Sequence, residues 1–159
     1  MTITQLTGLL GLIFGVVGTT LGILNYLRDR AYVQVSLQWN MNVANSPMHD
    51  PDKFYGSVSV GNVGRRPIFV SHVALRLPKG SHPSHFLLMD SITLLMDSIT
   101  GIRLAEGDPV RTYPVDQEGL EKYAPHWRDV IAQVSDASGS VWTSKRLPKT
   151  KVPSWAKAE

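Results

Sequence analysis

The first 27 residues form an apolar stretch that contains no charged side chain. As an α-helix, about 20 apolar residues are enough to cross a hydrocarbon core of about 30 Å. A cleaved signal peptide would show a basic start, a shorter apolar core and a small-x-small cleavage site. Here the first basic residue is Arg28 and the first alanine is Ala31. The pattern therefore predicts an uncleaved transmembrane helix from about Ile3 to Leu27.

Small and polar residues recur along this helix at alternating steps of three and four. The series is Thr4, Gly8, Gly11, Gly15, Gly18, Gly22 and Asn25. Residues with this spacing share one helix face, and small residues let helix backbones approach closely in lipid. The average period of about 3.5 favours a left-handed pairing. We therefore expect the helix to contact the lipid bilayer and either a second copy of this chain or a partner's transmembrane helix. The alternative is that glycine is simply frequent in membrane helices.

The residues that follow the span predict its orientation. Tyr26, Arg28 and Arg30 are expected at the membrane interface, where aromatic and basic side chains are enriched. Basic residues near a span are retained on the cytoplasmic side. The expected location is the inner (cytoplasmic) membrane, crossed once, with the N-terminus outside and the soluble domain in the cytoplasm.

After Ala31 the pattern becomes an alternation of apolar and polar residues, which is typical of half-buried strands. Strands are predicted in YVQVSLQW (32–39), FYGSVSVGN (54–62), IFVSHVALRLP (68–78) and VRTYPV (110–115). A short helix or turn is expected in GLEKYAPHW (119–127). Turn-forming residues separate these segments, and short antiparallel strands joined by turns predict an all-β sandwich.

The last two predicted strands form a hairpin around the turn at 136–139. Its core face is expected to carry Val130, Ala132, Val134, Val141 and Thr143. Trp142 is then expected on the opposite face of the hairpin or capping its edge.

Three segments resemble a known group of proteins: GNVGRRPIFVSHVALRLP (61–78), AEGDP (105–109) and VSDASGSVW (134–142). Together with the stretch from Asn25 to Arg30, they look like small, mostly uncharacterised bacterial proteins. Those proteins combine an N-terminal membrane helix with an immunoglobulin-like sandwich. The resemblance covers nearly the whole chain and implies a mainly β fold, an immunoglobulin-like antiparallel β-sandwich preceded by one transmembrane α-helix. It implies no activity.

The heptapeptide LLMDSIT occurs twice in succession, at 87–93 and 94–100. Seven extra residues within a strand would move every later side chain to the other face, because the side-chain period of a strand is two. We therefore expect the duplication in a loop or a helical turn and not in a central strand. It is interpreted as a slippage duplication at a permissive loop, and the alternative is a loop that touches the membrane or a partner.

The residues with chemical potential do not form a recognised site. The chain has no cysteine. His82 and His85, and His49 with Asp50 and Asp52, lack the spacing of known metal sites. No nucleophile elbow, P-loop or dinucleotide fingerprint is present. We expect no catalytic residues, no cofactor and no metal, and the sequence identifies no small-molecule ligand.

The charge distribution bears on partners. Residues 31–144 are slightly acidic overall, whereas the segment from Lys145 onward is basic. A nucleic-acid-binding face needs clustered Lys and Arg on the folded domain, so no nucleic acid is expected. Arg65 and Arg66, on a predicted turn, are the candidates for contact with a ligand or partner.

The predicted organisation has three parts: a transmembrane helix and basic flank (1–30), a β-sandwich domain (31–147) and a basic, proline-containing tail (148–159). The tail is expected to be extended, either disordered or lying on anionic lipid with Trp155 at the interface. The expected function is a non-enzymatic, membrane-anchored interaction or sensor module. A membrane-perturbing effector of the defence or toxin type is the alternative, and an exported binding domain with the opposite topology is a third.

Overall fold

The computed structural model describes residues 3–42, 49–88 and 101–157. The fold is mainly β, with two antiparallel sheets preceded by one N-terminal apolar helix. The helix is α1 (Ile3–Arg28), and the strands are β1 (Val33–Asn42), β2 (Phe54–Asn62), β3 (Ile68–Arg76), β4 (His85–Leu88), β5 (Ile102–Leu104), β6 (Arg111–Asp116), β7 (Ile131–Asp136) and β8 (Val141–Thr143). Two 3₁₀ segments occupy Glu121–Asp129 and Ser154–Ala156.

Helix α1 is long and apolar enough to cross a membrane. Its 26 residues correspond to about 39 Å of helix. Every residue in it is exposed, so the β domain does not cover it. The hydroxyl groups of Thr19 and Thr20 donate hydrogen bonds to the carbonyls of Gly15 and Val16, each at 2.8 Å. These two threonines therefore satisfy their polar groups within the helix.

The first sheet has the strand order β1-β2-β6. The predicted alternation in β1 is confirmed, since Val33, Val35 and Leu37 are buried and Trp39 continues the same face. Strand β2 has the bounds predicted from its sequence. The turn after β2 carries the chain into the second sheet, because β3 pairs with β4, β5 and β7 and not with β2.

The second sheet has the order β4-β3-β7-β8, with β5 also paired to β3. Apolar residues of both sheets form one buried cluster. Val58 and Val60 of β2 and Val134 of β7 are completely inaccessible to solvent. The two sheets therefore share a single hydrophobic core.

The hairpin of β7 and β8 exists as predicted, but the facing predicted for β8 is wrong. Trp142 pairs with Val134 and packs against the core, whereas Val141 is 53% exposed and Thr143 is exposed. The ladder ends with Ser135 opposite Val141, so five residues lie between the last paired residues: Asp136, which ends β7, and the turn 137–140. This spacing places Trp142, and not Val141 or Thr143, on the inward face of β8.

The LLMDSIT duplication falls mostly outside the described residues. Its first two residues, Leu87 and Leu88, lie in β4, an edge strand. The chain is described again from Gly101, and β5 then pairs with the other half of the same edge of β3. The two described flanks are thus strands at a sheet edge.

The segment after β8 is not the extended tail that its composition predicted. Trp155 is 7% exposed and packs edge-on against Trp39, with 5.5 Å between ring centroids. Pro153 is fully buried. The Ser154 backbone N–H donates to Oδ1 of Asn40 at 2.8 Å, and its hydroxyl donates to Oε1 of Gln117 at 2.9 Å. The expectation that Trp155 lies at a membrane interface is therefore wrong, because this part of the segment belongs to the β domain.

Candidate functional site: the apolar helix and its junction with the β domain

The small-residue face of α1 lies open. A Cβ atom built on each of its five glycines would meet no atom of the described residues within 4 Å beyond the backbone of the helix itself. These glycines are Gly8, Gly11, Gly15, Gly18 and Gly22. Thr4 and Asn25 extend the series within the helix, and both are exposed. A second helix could therefore approach this face closely.

The segment after the helix is fastened to the turn between β2 and β3. The carbonyl of Tyr32 accepts hydrogen bonds from the backbone N–H groups of Val63 at 2.9 Å and Gly64 at 3.1 Å. A Cβ at Gly64 would collide with the carbonyl oxygen of Arg30 and would lie 2.5 Å from the Tyr32 nitrogen. Because both are backbone atoms, a side chain cannot be accommodated by rotating a neighbour. Gly64 thus permits the close contact between the two segments.

Asn62 organises the turn from the inside. Its side chain is buried at 7% exposure and donates to the carbonyls of Arg66 at 2.8 Å and Leu104 at 3.0 Å. Its Oδ1 accepts from the N–H of Gly64 at 3.0 Å. One amide group thus satisfies three backbone groups and holds the turn against the end of β5.

An ion pair joins the same turn to the end of the helix. The guanidinium of Arg66 donates to Oδ2 of Asp29 from Nε at 3.2 Å and from a terminal nitrogen at 2.8 Å. This hydrogen bond and the charge of the carboxylate raise the pKa of Arg66. Both side chains remain more than half exposed, so solvent and salt screen their attraction.

The structure separates the two arginines that were the candidate ligand contacts. Arg66 is engaged by Asp29, whereas the exposed Arg65 side chain makes no hydrogen bond or ion pair within the described residues. Arg65 is therefore available to an external anion, and Arg66 serves the junction.

The predicted interface residues lie at the end of α1. The Arg30 guanidinium lies over the ring of Tyr26, 5.3 Å from its centroid. Arg28 is exposed and ends the helix, and the Asp29 N–H still donates to the carbonyl of Asn25 at 2.9 Å. This arrangement keeps Tyr26 beside a cation, which suits a level where apolar and aqueous surroundings meet.

Sequence reasoning missed Asp29, Asn62 and Gly64 as junction residues. In the sequence, the segment Asn62-Val63-Gly64 indicates only a turn. A buried asparagine at the end of a strand was the available signal, because such a residue must find hydrogen-bond partners for its amide. The pairing of Asp29 with Arg66 carried no sequence signal, since 37 positions separate the two residues.

The rest of the described surface includes a groove and shows no metal cluster. Among residues 3–42, 49–88 and 101–157, no three His, Asp or Glu side chains are grouped so that they could hold a metal ion. A groove of about 540 Å³ separates β1 from the segment 147–152, with Trp39, Asn40 and Lys151 among its lining residues. No polar constellation for catalysis was identified in it.

No family model matches this chain, and no curated protein sequence does either. The features that bear on function are therefore the helix, its glycine face and the junction.

Proposed function

We propose that this protein is a single-pass membrane protein and a non-enzymatic interaction or sensor module that assembles through the glycine face of α1. The observation that carries the proposal is the open face of five glycines on a fully exposed apolar helix. The partner is a second copy of the chain or the transmembrane helix of another protein. In lipid, such a face gains van der Waals contact between backbones.

The junction supports a sensing role. Because Tyr32 and Asp29 are each hydrogen-bonded to the β2–β3 turn, a rotation of the helix is passed to the β domain. Binding at the domain would bias helix assembly, and helix assembly would bias binding, since coupling between two sites is reciprocal.

We also propose that the β domain is an immunoglobulin-like sandwich. The support is the strand order, because β1-β2-β6 and β4-β3-β7-β8 correspond to the A-B-E and C′-C-F-G orders of that fold. Two hallmarks of antibody domains are missing. There is no cysteine for an inter-sheet disulfide, and β3, the equivalent of strand C, has no tryptophan.

The proposed location is the inner (cytoplasmic) membrane, with the N-terminus outside and the β domain in the cytoplasm. The support is the position of Arg28 and Arg30 directly after the apolar segment. A reporter fused after Glu159 tests the topology. Activity of a cytoplasm-dependent reporter is expected, and activity of a periplasm-dependent reporter would reverse the assignment.

Crosslinking of the full-length protein in membranes tests the assembly. The wild-type chain is compared with a variant in which Gly11, Gly15, Gly18 and Gly22 are replaced by leucine. The variant is expected to insert normally but to lose a specific oligomer, or a specific hetero-complex, because leucine side chains keep the backbones apart.

A matched control carries Ile13→Leu and Val17→Leu, which lie on the opposite side of the helix. This control should crosslink like the wild type. If wild type and glycine variant show the same crosslinks, the glycine face is not an assembly surface. If expression arrests growth only when the glycines are present, the membrane-perturbing effector function is favoured over the sensor module.

A further inference from the structure

The basic residues of the β domain are segregated by type. The helix-proximal end of the domain is defined by the start of β1, the β2–β3 turn (63–67), the β5–β6 connection (105–110) with the adjoining strand ends, and the β7–β8 turn (137–140). Six of the nine arginines lie at this end or on the helix flank: Arg28, Arg30, Arg65, Arg66, Arg103 and Arg111. All seven lysines lie elsewhere: Lys53, Lys79, Lys122, Lys145, Lys149, Lys151 and Lys157.

Several arginines of the helix-proximal end have no side-chain partner among the described residues. Arg66 pairs with Asp29 and Arg30 lies over Tyr26. Arg65, Arg103 and Arg111 are exposed and make no side-chain hydrogen bond or ion pair with the described residues. A guanidinium is weakly hydrated and matches the geometry of phosphate oxygens, so these side chains suit phosphate contacts better than lysines would.

The carboxylates at this end are mostly engaged locally. Asp29 is bound by Arg66, and Asp108 accepts a hydrogen bond from the backbone N–H of Ala105. Asp136 accepts hydrogen bonds from the backbone N–H groups of Ser138 and Ser140 within the β7–β8 turn. Glu106 is the remaining acidic residue of these loops and strand ends. With the helix flank included, the described residues at this end carry six arginines and four carboxylates, a net charge of +2.

Apolar side chains project beside these arginines. Val63 is 57% exposed at the tip of the β2–β3 turn, and Val110 is 62% exposed just before β6. Tyr32 is 60% exposed at the start of β1. Valine and tyrosine side chains among arginines resemble the composition of surfaces that contact the boundary between headgroups and acyl chains.

The geometry of the junction fixes the distance between this surface and the end of α1. The β2–β3 turn lies within one ion-pair length of Asp29, the residue that follows α1. The headgroup layer on each side of a bilayer is only about 5–8 Å thick. If α1 spans the bilayer, a turn bonded to the residue after the helix lies at the level of the headgroups.

We propose that the helix-proximal end of the β domain docks on an anionic lipid surface, with Arg65, Arg103 and Arg111 contacting lipid phosphates and Val63 and Val110 entering the headgroup layer. This proposal rests on the proposed membrane span. It assigns the lipid surface to the arginine-bearing end of the domain and not to the lysine-rich C-terminal segment, which packs at the other end.

The test uses the full-length protein, which has no cysteine and so accepts single-cysteine labels without background. A bimane fluorophore is placed at Val63→Cys, Val110→Cys or Phe54→Cys. Phe54 is the matched control, because it is 54% exposed but begins β2 at the opposite end of the domain. The protein is reconstituted in phosphatidylcholine vesicles with or without phosphatidylglycerol, and quenching by headgroup-nitroxide lipid is measured.

Labels at positions 63 and 110 are expected to be quenched several-fold more than the label at 54 in vesicles that contain phosphatidylglycerol. Each of Arg65→Gln and Arg111→Gln should lower the ratio of docked to undocked domain about fivefold, the equivalent of about 1 kcal/mol per basic residue near such a surface. High salt should also lower the ratio of docked to undocked domain.

A fourth label, at Phe14→Cys in the middle of α1, separates this proposal from the membrane span itself. If nitroxides deep in the acyl chains fail to quench it, the span is wrong and the docking proposal falls with it. If Phe14 is deep while positions 63, 110 and 54 are quenched equally, the docking alone is overturned. Equal quenching at 63 and 110 with and without phosphatidylglycerol would overturn the role of lipid charge.

Discussion

The two ends of the β domain are fastened by different kinds of interaction. At the helix-proximal end, Asn62 and the Asp29–Arg66 pair hold the junction through hydrogen bonds and an exposed ion pair. At the distal end, Trp155 packs its buried ring against Trp39. Salt screens the exposed ion pair, whereas the contact between the two indoles involves no charge that salt could screen. The attachment at the helix-proximal end is thus the one that depends on ionic strength.

Replacing Trp155 by alanine should have the largest effect on stability. The change removes a buried indole from the Trp39 contact and is expected to cost about 3–5 kcal/mol of unfolding free energy. Denaturant unfolding of the full-length protein in detergent micelles measures it. Trp155→Phe is the control and should retain most of the stability. The loss should be similar at low and high salt, and a strong salt dependence would contradict an apolar fastening.

Asn62→Ala should come next, at roughly 2–4 kcal/mol, because it leaves two carbonyls and one N–H without their partner. The same unfolding measurement applies. Asn42→Ala, at the exposed end of β1, is the matched control and should cost little. If both variants unfold alike, the buried amide does not hold the proximal end.

Gly64→Ala is expected to cost about 1–3 kcal/mol, since the added methyl must displace backbone of residues 30–32. Amide hydrogen exchange should accelerate at Val63 and Gly64, whose N–H groups bond to Tyr32. Gly61→Ala in the same region would meet only a side-chain methyl of Val110, at 3.3 Å, and serves as control. Unchanged exchange at Val63 would show that the helix flank is not held by this turn.

Arg66→Gln should lower the melting temperature modestly at low salt and hardly at all at about 1 M salt, where screening acts over about 3 Å. A double-mutant cycle with Asp29→Asn should give a coupling that disappears as salt rises. Arg65→Gln is the matched control and should not couple to Asp29. Coupling that persists at high salt would show that the pair is less solvated than its exposure indicates.

The smallest effect is expected at Asp136. Burial acts to raise its pKa, but hydrogen bonds from the Ser138 hydroxyl and from the N–H groups of Ser140, Ser138 and Gly139 outweigh it and leave the pKa lowered. A lowered pKa stabilises the fold above the unfolded pKa and loses that effect as pH falls through the folded value. The melting temperatures of wild type and Asp136→Ala should therefore differ more at pH 7 than near pH 2. A constant difference would show that the Asp136 carboxylate does not make the stability depend on pH.

Local patterning predicted α1, β1, β2, β3, β6 and the last hairpin, but neither β4 and β5 nor the contacts that join the elements. The alternation in β1 and β2 gave their buried faces, because one side of each strand meets the shared core. The apolar length of α1 likewise required no tertiary information. In contrast, the packing of Trp155 on Trp39 was missed, since proline and lysine dominate the segment around Trp155 and its partner lies in β1.

The hairpin shows a second limit of local patterning. The inward position of Trp142 depends on how many residues the β7–β8 turn uses, and alternation alone does not count them. The junction was missed for a related reason. Asp29, Asn62 and Leu104 come together only after the chain has passed from one sheet to the other.

The sheet edge at β3 has a practical consequence for engineering. Strands β4 and β5 are registered on β3 independently, with Leu88 opposite Val73 and Ile102 opposite Val70. Val70 and Val73 are separated by two residues of β3. Their partners Leu88 and Ile102 are separated by thirteen residues, 89–101. We expect foreign sequence inserted between the two strands to leave both hydrogen-bonded registers unchanged, because each strand is paired to β3 by its own residues. An epitope or reporter placed there, far from both chain termini in sequence, is an internal fusion point that spares the helix and the C-terminal packing.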